Sequence, residues 1–345
     1  MPRHLSEVRG RPARCLRPSP FTVKAQPGLA PFHGCGRTIG FMGITVLAVG
    51  GTGESFAGDS RTEVIGLLSA VTDCLDDRFT AQWVPYAASY GPVPQRDGLS
   101  YAESVDGGVA NLAAAFGECA GDVALLGYSQ GAVVVRRFAA ALTAGQCEPI
   151  IGMGLVADPH QPPGGVPGCH GWGVAGPGEP LPASVPVFWI GARNDMICNA
   201  SPDSLLRDIA DLTGTMSLHH PLRWWSQIRE RLSHNDLQNA DATSVSPEQW
   251  RRDPGRIATA WREVRGYLPR TLGWHRVRLA NTEGGQHTSY AATPYGQTPL
   301  TDAEVTGCQT LAMWLQVQAT FTGSDDTGRP HPVAPPPARS HASAA

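Results

Sequence analysis

The residues best suited to chemistry stand at 127–131, where the chain reads Gly-Tyr-Ser-Gln-Gly. This G-x-S-x-G spacing is that of a nucleophile elbow, in which a serine lies on a strained turn between a strand and a helix. Residues 122–127 form an apolar run that predicts the strand, and residues 132–142 predict the helix. The flanking glycines allow the tight turn, and the helix N-terminus favours developing negative charge. Ser129 is therefore the candidate nucleophile.

A nucleophilic serine needs an acid and a base, which in sites of this type follow it in the order acid, then histidine. Asp158 and Asp195 each follow the end of a predicted strand. Asp158 precedes a proline in a loop rich in proline and glycine, which favours a loop-shaping role. Asp195 follows the later strand, where the acid is expected. It is the candidate acid, with turn formation as the alternative for either residue.

The candidate base is His287, in the glycine-rich loop Glu-Gly-Gly-Gln-His-Thr-Ser-Tyr. The loop follows an apolar segment at 275–280 and precedes the last predicted helix, at 301–317. A loop at the end of a strand is a suitable carrier for a general base. A solvated loop histidine is the alternative. Three other histidines lie in a predominantly helical region and are expected at the surface: His219, His220 and His234.

The third requirement is an oxyanion hole, and the candidate is the sequence Gly-Gly-Thr-Gly-Glu at 50–54, directly after the first predicted strand. Glycines there can turn amide N–H groups toward the serine, and Thr52 can offer its amide and its hydroxyl. The second candidate donor is the N–H of Gln130, the residue after the nucleophile. A phosphate-binding loop is the competing interpretation, but the spacing is not G-x-G-x-x-G and no lysine follows.

The elements that must position these residues alternate as strand and helix. Strands are predicted at 44–49, 80–85, 122–127, 150–157 and 185–191. Capping boxes at Ser60/Glu63 and Ser100/Glu103 predict two helix starts. Strands that are nearly continuous in Val, Ile and Leu indicate a parallel sheet covered on both faces, which is an α/β fold. In such sheets ligands lie at the carboxyl ends of the strands, where Ser129 falls.

Composition excludes several other function classes. The chain has 345 residues and a net charge of -3, but residues 1–41 hold seven Lys/Arg against one acid, which leaves an acidic body of 20 basic and 29 acidic residues. Nucleic-acid binding is therefore not expected. Lys24 is the single lysine, so the folded part has no P-loop, Schiff-base or Ser–Lys lysine. The eight cysteines lack metal-site spacing, no apolar run reaches a membrane-spanning length, and neither a metal nor a cofactor is expected.

The ends of the chain look unlike a folded domain. Pro, Arg and Gly break every pattern in residues 1–41, and no apolar stretch follows the basic start, so no signal peptide is predicted. This segment is either a basic extension or untranslated, with Met42 as the true start. Residues 323–345 have the composition of a disordered tail. The catalytic domain is then expected at 42–200 and 273–322, interrupted by a helical insertion at 201–272.

Within the insertion, three Ser-Pro or Asp-Pro pairs predict helix starts: Ser201-Pro202, Ser246-Pro247 and Asp253-Pro254. An apolar stripe of Ile257, Trp261, Val264 and Leu268 has helical spacing and is expected in the core. Of Trp224 and Trp225, one is expected to pack inward and the other to be exposed. The whole insertion is a candidate lid or a wall of an acyl groove.

Four segments resemble the cutinase superfamily: the elbow, Gly-Thr-Gly-Glu at 51–54, Asp195-Met-Ile-Cys198 and His287-Thr-Ser-Tyr290. The resemblance covers roughly residues 42–200 and 275–320. It implies an α/β-hydrolase fold and a serine esterase in which Ser129 is the nucleophile. It further implies Asp195 as acid, His287 as base and Thr52 as an oxyanion donor.

The spacing of 92 residues between acid and histidine departs from plain cutinases. A helical insertion at this place resembles lysin B, the phage esterase that cuts the ester between mycolic acids and arabinogalactan in actinobacteria. That resemblance implies a monomer that acts from the host cytoplasm on the cell envelope; a chromosomal protein would be cytoplasmic or secreted by an unrecognised route. The related PE-PPE esterase domains share the elbow. An acyltransferase and a non-catalytic envelope-binding module also remain open.

Cutinases use disulfides, and Cys198 stands where the resemblance places one of theirs. The usual partner position is Gly191 here, so that bridge is not expected. Cys169 is the nearest substitute, and Cys74 with Cys119 is another possible pair. Reduced buried thiols fit equally well if the protein acts from the cytosol.

Overall fold

The computed structural model describes residues 43–217, 220–234, 237–239, 247–274, 277–296 and 304–321, all within the unit Gly43–Ala345. Its strands are β1 (Ile44–Val49), β2 (Phe79–Trp83), β3 (Val123–Tyr128), β4 (Ile150–Val156), β5 (Val187–Ile190), β6 (Thr271–Trp274) and β7 (Val277–Ala280). Its helices are α1 (Ser69–Thr72), α2 (Tyr101–Gly117), α3 (Gln130–Ala140), α4 (Ala144–Cys147), α5 (Leu205–Thr213), α6 (Pro221–His234), α7 (Pro247–Tyr267) and α8 (Gly307–Gln318). Short 3-10 turns lie at Gly66–Leu68 and Ser289–Ala291.

Five parallel strands form the central sheet in the order β2-β1-β3-β4-β5. Every residue of β3 and β4 is buried, as the near-continuous apolar runs predict. Helices α1 and α8 pack on one face and α2 and α3 on the other, each over its own apolar cluster. The predicted α/β-hydrolase architecture is therefore confirmed, and the carboxyl ends of the strands share one edge of the sheet.

The two capping boxes have different outcomes. The box at Ser100 and Glu103 forms and opens α2 as predicted. No helix begins at Ser60, so that prediction is wrong. Arg61 forms an ion pair with Asp59, and the Thr62 carbonyl accepts the Trp83 N–H, so the segment is held by contacts outside any helix.

The insertion also departs from the predicted helix starts. Helix α5 is capped by Ser204 and not by Ser201, so Ser201-Pro202 does not begin a helix. Helix α7 runs through Pro254, and Asp253-Pro254 is therefore an interior pair. The Arg256 guanidinium donates to Asp208 on α5, and this tertiary contact holds the segment after the proline in place.

Other features predicted in this part of the chain begin at a different residue or lie outside the described residues. Ser246, Thr301 and His219 lie outside the described residues. The last helix, α8, begins at Gly307 with Thr306 as its cap. Ile257 and Trp261 are exposed, so only part of the predicted α7 stripe is core. Of the described helices, none has the length and apolar character needed to cross a membrane.

Neither predicted disulfide is formed, because Cys119, Cys169 and Cys198 are free thiols. Cys74 is disulfide-bonded, but it packs with the α1/α8 cluster, whereas Cys119 packs with the α2/α3 cluster. The sheet separates these two side chains. At Gly191, an added Cβ would lie 3.1 Å from Cys198 Sγ, which shows how close the position comes to the thiol.

Candidate active site

Ser129 lies between the last residue of β3 and the first residue of α3, at the carboxyl edge of the sheet. Its φ is 54°, a strained value for a non-glycine residue that persists because the N–H donates to the Val156 carbonyl of β4. A Cβ at Gly127 would lie 2.6 Å from Ala132 Cα, and one at Gly131 would lie 2.1 Å from the Val49 carbonyl oxygen. Both glycines are therefore needed for the elbow to close.

The structure brings Ser129, His287 and Asp195 into one line of hydrogen bonds. His287 Nε2 lies 2.9 Å from Ser129 Oγ, and His287 Nδ1 lies 2.8 Å from Asp195 Oδ2. His287 and Asp195 are buried. With Nδ1 protonated, Nε2 is free to accept the serine proton, so the geometry is that of a nucleophile, a base and an acid that orients the base.

Asp195 is fixed by three donors. Besides His287, Tyr290 donates its hydroxyl to Oδ2 at 2.6 Å, and the Ile197 N–H donates to Oδ1 at 3.0 Å. Burial by itself would raise the pKa of the Asp195 carboxyl, but the charge of His287 and the donated hydrogen bonds outweigh it, so the pKa lies below its usual value. Burial beside Asp195 raises the pKa of the Tyr290 phenol, which keeps this donor protonated.

Two tyrosine rings contact the imidazole of His287. Tyr128, next to the serine on the elbow, stacks on His287 at a centroid distance of 5.1 Å and donates its hydroxyl to the His287 carbonyl at 2.9 Å. Tyr267, the last residue of α7, approaches the same ring at 5.1 Å. One ring comes from the sheet and the other from the insertion.

The predicted oxyanion donors also lie at the elbow. The Thr52 hydroxyl donates to Gln130 Oε1 at 3.0 Å, which links the first-strand loop to the residue after the serine. The Thr52 hydroxyl was expected to donate to an oxyanion together with the amide, but its proton is directed to Gln130 instead. The backbone amide of Thr52 is therefore the available donor. Within the described part of the chain, the N–H groups of Thr52 and Gln130 have no acceptor.

Glu54 and Gln130 fix the loops on either side of these amides. Glu54 accepts the Gly51 N–H at 2.7 Å and the Leu67 N–H at 2.9 Å. Burial raises the pKa of the Glu54 carboxyl, against the effect of these two hydrogen bonds. Gln130 Nε2 donates to the Ser89 carbonyl at 2.9 Å, so the loop after β2 supports the elbow as well.

Helix α7 packs against both loops that carry the candidate acid, Asp195, and the candidate base, His287. A Cβ at Gly266 would lie 2.2 Å from the carbonyl oxygen of Asn194, the neighbour of the acid. The Gln286 N–H, next to the base, donates to the Gly266 carbonyl at 3.1 Å, and the Gly285 N–H donates to Leu268 at 2.7 Å. The insertion is thus part of the support of the site.

The competing acid lies elsewhere. Asp158 is fully buried in an ion pair with Arg136 and accepts the Trp189 indole N–H at 3.1 Å, while the His160 N–H donates to its other oxygen. These contacts shape the loop after β4, as the proline-rich sequence predicts, and do not reach Ser129. His234 is exposed on α6.

The roles of Tyr290, Tyr267 and Glu54 are not apparent from the sequence. Tyr290 and Glu54 stand inside the motifs that carry the cutinase resemblance, so their place was visible although their contacts were not. No sequence pattern indicates the role of Tyr267, because it ends an ordinary amphipathic helix and contacts His287 only in the tertiary fold.

Residues 78–171, which contain the elbow, match the family model described as the PE-PPE domain. The chain has the parallel central sheet of an α/β-hydrolase fold. The match covers less than half of the chain. No curated protein matches the sequence.

Solved structures similar to the chain include three esterases or cutinases. An acetyl xylan esterase is 19% identical over 55% of this chain and 98% of its own, with a TM-score of 0.37. A cutinase-like protein from Cryptococcus sp. is 15% identical over 51% and 96%, with a TM-score of 0.31. A cutinase from Trichoderma reesei is 21% identical over 54% and 75%, also with a TM-score of 0.31. These scores are too low to bear on the site.

Proposed function

We propose that this chain is a serine esterase that hydrolyses a lipid ester through Ser129, His287 and Asp195. The observation that carries the proposal is the line of hydrogen bonds from Ser129 Oγ to His287 at 2.9 Å and on to Asp195 at 2.8 Å, at a serine with a φ of 54°. A buried histidine between a strained serine and a buried carboxylate has no obvious structural purpose, but it meets the geometric needs of acyl transfer.

The proposed reaction has two steps. His287 Nε2 accepts the hydroxyl proton while Ser129 Oγ bonds to the ester carbonyl carbon, and the backbone N–H groups of Thr52 and Gln130 donate to the resulting oxyanion. Collapse of this intermediate breaks the ester C–O bond, and His287 gives its proton to the departing alcohol. Water then attacks the acyl-enzyme by the same route, which releases the carboxylic acid and restores the serine. Asp195 keeps Nδ1 protonated throughout.

The finer proposal is that the substrate is the ester between mycolic acid and arabinogalactan. It rests on the helical insertion between acid and base, which resembles that of lysin B, and on the contact of this insertion with the base through Tyr267. On this proposal the protein is a monomer and is released onto the cell envelope during phage lysis. The PE-PPE match favours a second candidate, a more general lipase-esterase.

The first experiment compares hydrolysis of a soluble p-nitrophenyl ester by the wild type and by Ser129→Ala. We expect a loss of roughly 10⁴-fold or more in kcat, since removal of a triad nucleophile leaves only the oxyanion hole and binding. Ser233→Ala, at an exposed serine of α6, is the matched control and should retain full activity. Equal rates in the wild type and Ser129→Ala would reject the esterase proposal.

The substrate is tested with purified mycolyl-arabinogalactan, by measuring free mycolic acid with and without an added sugar acceptor. Release of the acid to water supports the finer proposal. Transfer to the sugar would indicate an acyltransferase instead, and hydrolysis of short-chain esters alone would leave the general esterase. No release of any acid would support a non-catalytic envelope-binding module.

A further inference from the structure

Helix α6 carries an exposed apolar stripe that the site described above does not use. Leu222, Trp225, Arg229 and Leu232 follow one another at spacings of three, four and three residues, so they share one face of the helix. Leu222 is 84% exposed, Trp225 is 63% exposed and Leu232 is 55% exposed. We call these four residues the α6 stripe. An apolar stripe of this kind normally faces the core of a protein.

The opposite face of α6 contacts the protein only partly. Trp224, Gln227, Ile228 and Arg231 are half-buried, and no residue of this helix is fully buried. The Trp224 indole N–H donates to the Leu212 carbonyl at 3.0 Å, which ties the helix to α5. The inward tryptophan therefore anchors α6, while its neighbour Trp225 belongs to the exposed stripe.

The start of α6 lies beside the loop that supports the elbow. At the end of α5, Thr213 is 2.7 Å from the Tyr90 hydroxyl, and the Gly214 carbonyl accepts the Ala102 N–H at 3.1 Å. The same loop after β2 provides the Ser89 carbonyl that accepts the Gln130 amide. A surface that docks through α6 therefore lies close to the carboxyl edge of the sheet, where Ser129 lies half-buried.

The charge on α6 differs from that of the rest of the molecule. The helix holds Arg223, Arg229 and Arg231 against one acid, Glu230, whereas the chain after residue 41 has 20 basic and 29 acidic residues. A helix with Trp and Leu on one face and arginines around them matches the pattern that lies flat in a lipid–water interface. Its positive charge complements anionic headgroups, whereas a symmetric contact between the α6 helices of two copies would bring like charges together.

We propose that the α6 stripe docks on an anionic lipid surface with Trp225, Leu222 and Leu232 in the interface. Docking in this way brings the carboxyl edge of the sheet toward lipid esters in that surface; this consequence rests on the proposed function, whereas the docking itself does not. The exposed Arg223 and Arg229 contact the headgroups, and the two apolar ends of the stripe enter the acyl boundary.

The test measures flotation of the full chain with vesicles of phosphatidylglycerol and phosphatidylcholine in equal parts, and with vesicles of phosphatidylcholine alone. The double variant Leu222→Ser/Trp225→Ser should lose binding to the anionic vesicles by at least about tenfold, because each buried apolar side chain of this size contributes roughly that factor. Trp261→Ser is the matched control, since Trp261 on α7 is also 63% exposed but lies outside the stripe. It should bind like the wild type.

Hydrolysis of the soluble p-nitrophenyl ester separates this proposal from the esterase proposal. The double variant should keep the wild-type rate in solution, which also shows that it is folded. If the wild type bound neither kind of vesicle, the docking proposal would be overturned and the esterase proposal would be unaffected. Equal loss in the double variant and in Trp261→Ser, or equal binding to neutral vesicles, would overturn the assignment to a basic α6 stripe.

Discussion

The candidate nucleophile and the candidate acid and base are held by different parts of the molecule. Ser129 is fixed by β3, β4 and α3, almost all of whose residues are buried. Asp195 and His287 stand on loops that pack against α7, a helix with several exposed residues. The sheet therefore determines where the serine lies, while the alignment of the acid and base depends on the insertion. Changes in the first region should cost stability, and changes in the second should cost activity.

The largest effect should come from Gly131→Ala in the elbow. The added Cβ would meet backbone oxygens of Val49 and Gly50 at 2.1 and 2.5 Å, and main chain in a parallel sheet has little room to move. We expect the free energy of unfolding to fall by about 3 kcal/mol or more, measured by urea denaturation.

Gly107→Ala on α2 is the control for this change, because its Cβ would meet nothing within 4 Å. It should raise stability slightly, since alanine is the better helix former. A Gly131→Ala protein as stable as the wild type would show that the elbow is not rigid.

The second-largest effect should come from Tyr290→Phe, which acts by weakening the support of Asp195. It removes the hydroxyl that donates to Asp195 at 2.6 Å and leaves the ring in place. Because a hydrogen bond to a charged group contributes roughly 1.5–3 kcal/mol, kcat/KM for the soluble ester should fall about 10- to 100-fold.

Tyr295→Phe is the matched control, since the Tyr295 hydroxyl accepts the Gly191 N–H at 3.2 Å and makes no bond to the acid. If both tyrosine variants lost activity equally, general loosening of the loop would explain the effect better than the position of Asp195.

Gly266→Ala should disturb the alignment of Asp195 and His287 more than it lowers the free energy of unfolding. Its Cβ would lie 2.2 Å from the Asn194 carbonyl oxygen, so either α7 or the acid loop must shift. We expect kcat/KM to fall roughly fivefold to tenfold, which corresponds to about 1 kcal/mol, with a smaller change in stability than for Gly131→Ala.

Gly255→Ala on the same helix, with open space around its Cβ, should keep full activity. An active Gly266→Ala enzyme would show that the acid loop does not depend on the insertion, and the comparison between the two regions would fail.

The smallest effect is expected in the pH dependence of stability at Asp195. Its folded-state pKa is lowered, so its contribution to stability is present above the unfolded value of about 3.9 and is lost as the pH falls through the folded value. The gap in Tm between the wild type and Asp195→Asn should therefore narrow on acidification from pH 6 toward the folded pKa. A gap that widened on acidification would contradict the lowered pKa.

Much of the sheet could be predicted because its strands are buried on both faces and therefore read as unbroken apolar runs. β1 matches its predicted bounds, 44–49, and the Ser100 capping box opens α2. The capping box predicted at Ser60 opens no helix, because the Arg61–Asp59 ion pair and the hydrogen bond from Trp83 to Thr62 hold this segment in another conformation. Pro254 likewise ends a helix in isolation but not in α7, where packing against α5 decides.

The sequence by itself determined the order of the candidate residues: a serine on an elbow, then an aspartate after the fifth strand, then a histidine in a glycine-rich loop. Only the tertiary structure decided that Tyr290 donates to the acid, that Tyr267 contacts the histidine and that α7 supports both loops. The elbow is specified by neighbours in the chain and by backbone sterics, which a local pattern records. The contacts of the insertion join residues far apart in sequence, and no spacing along the chain encodes them.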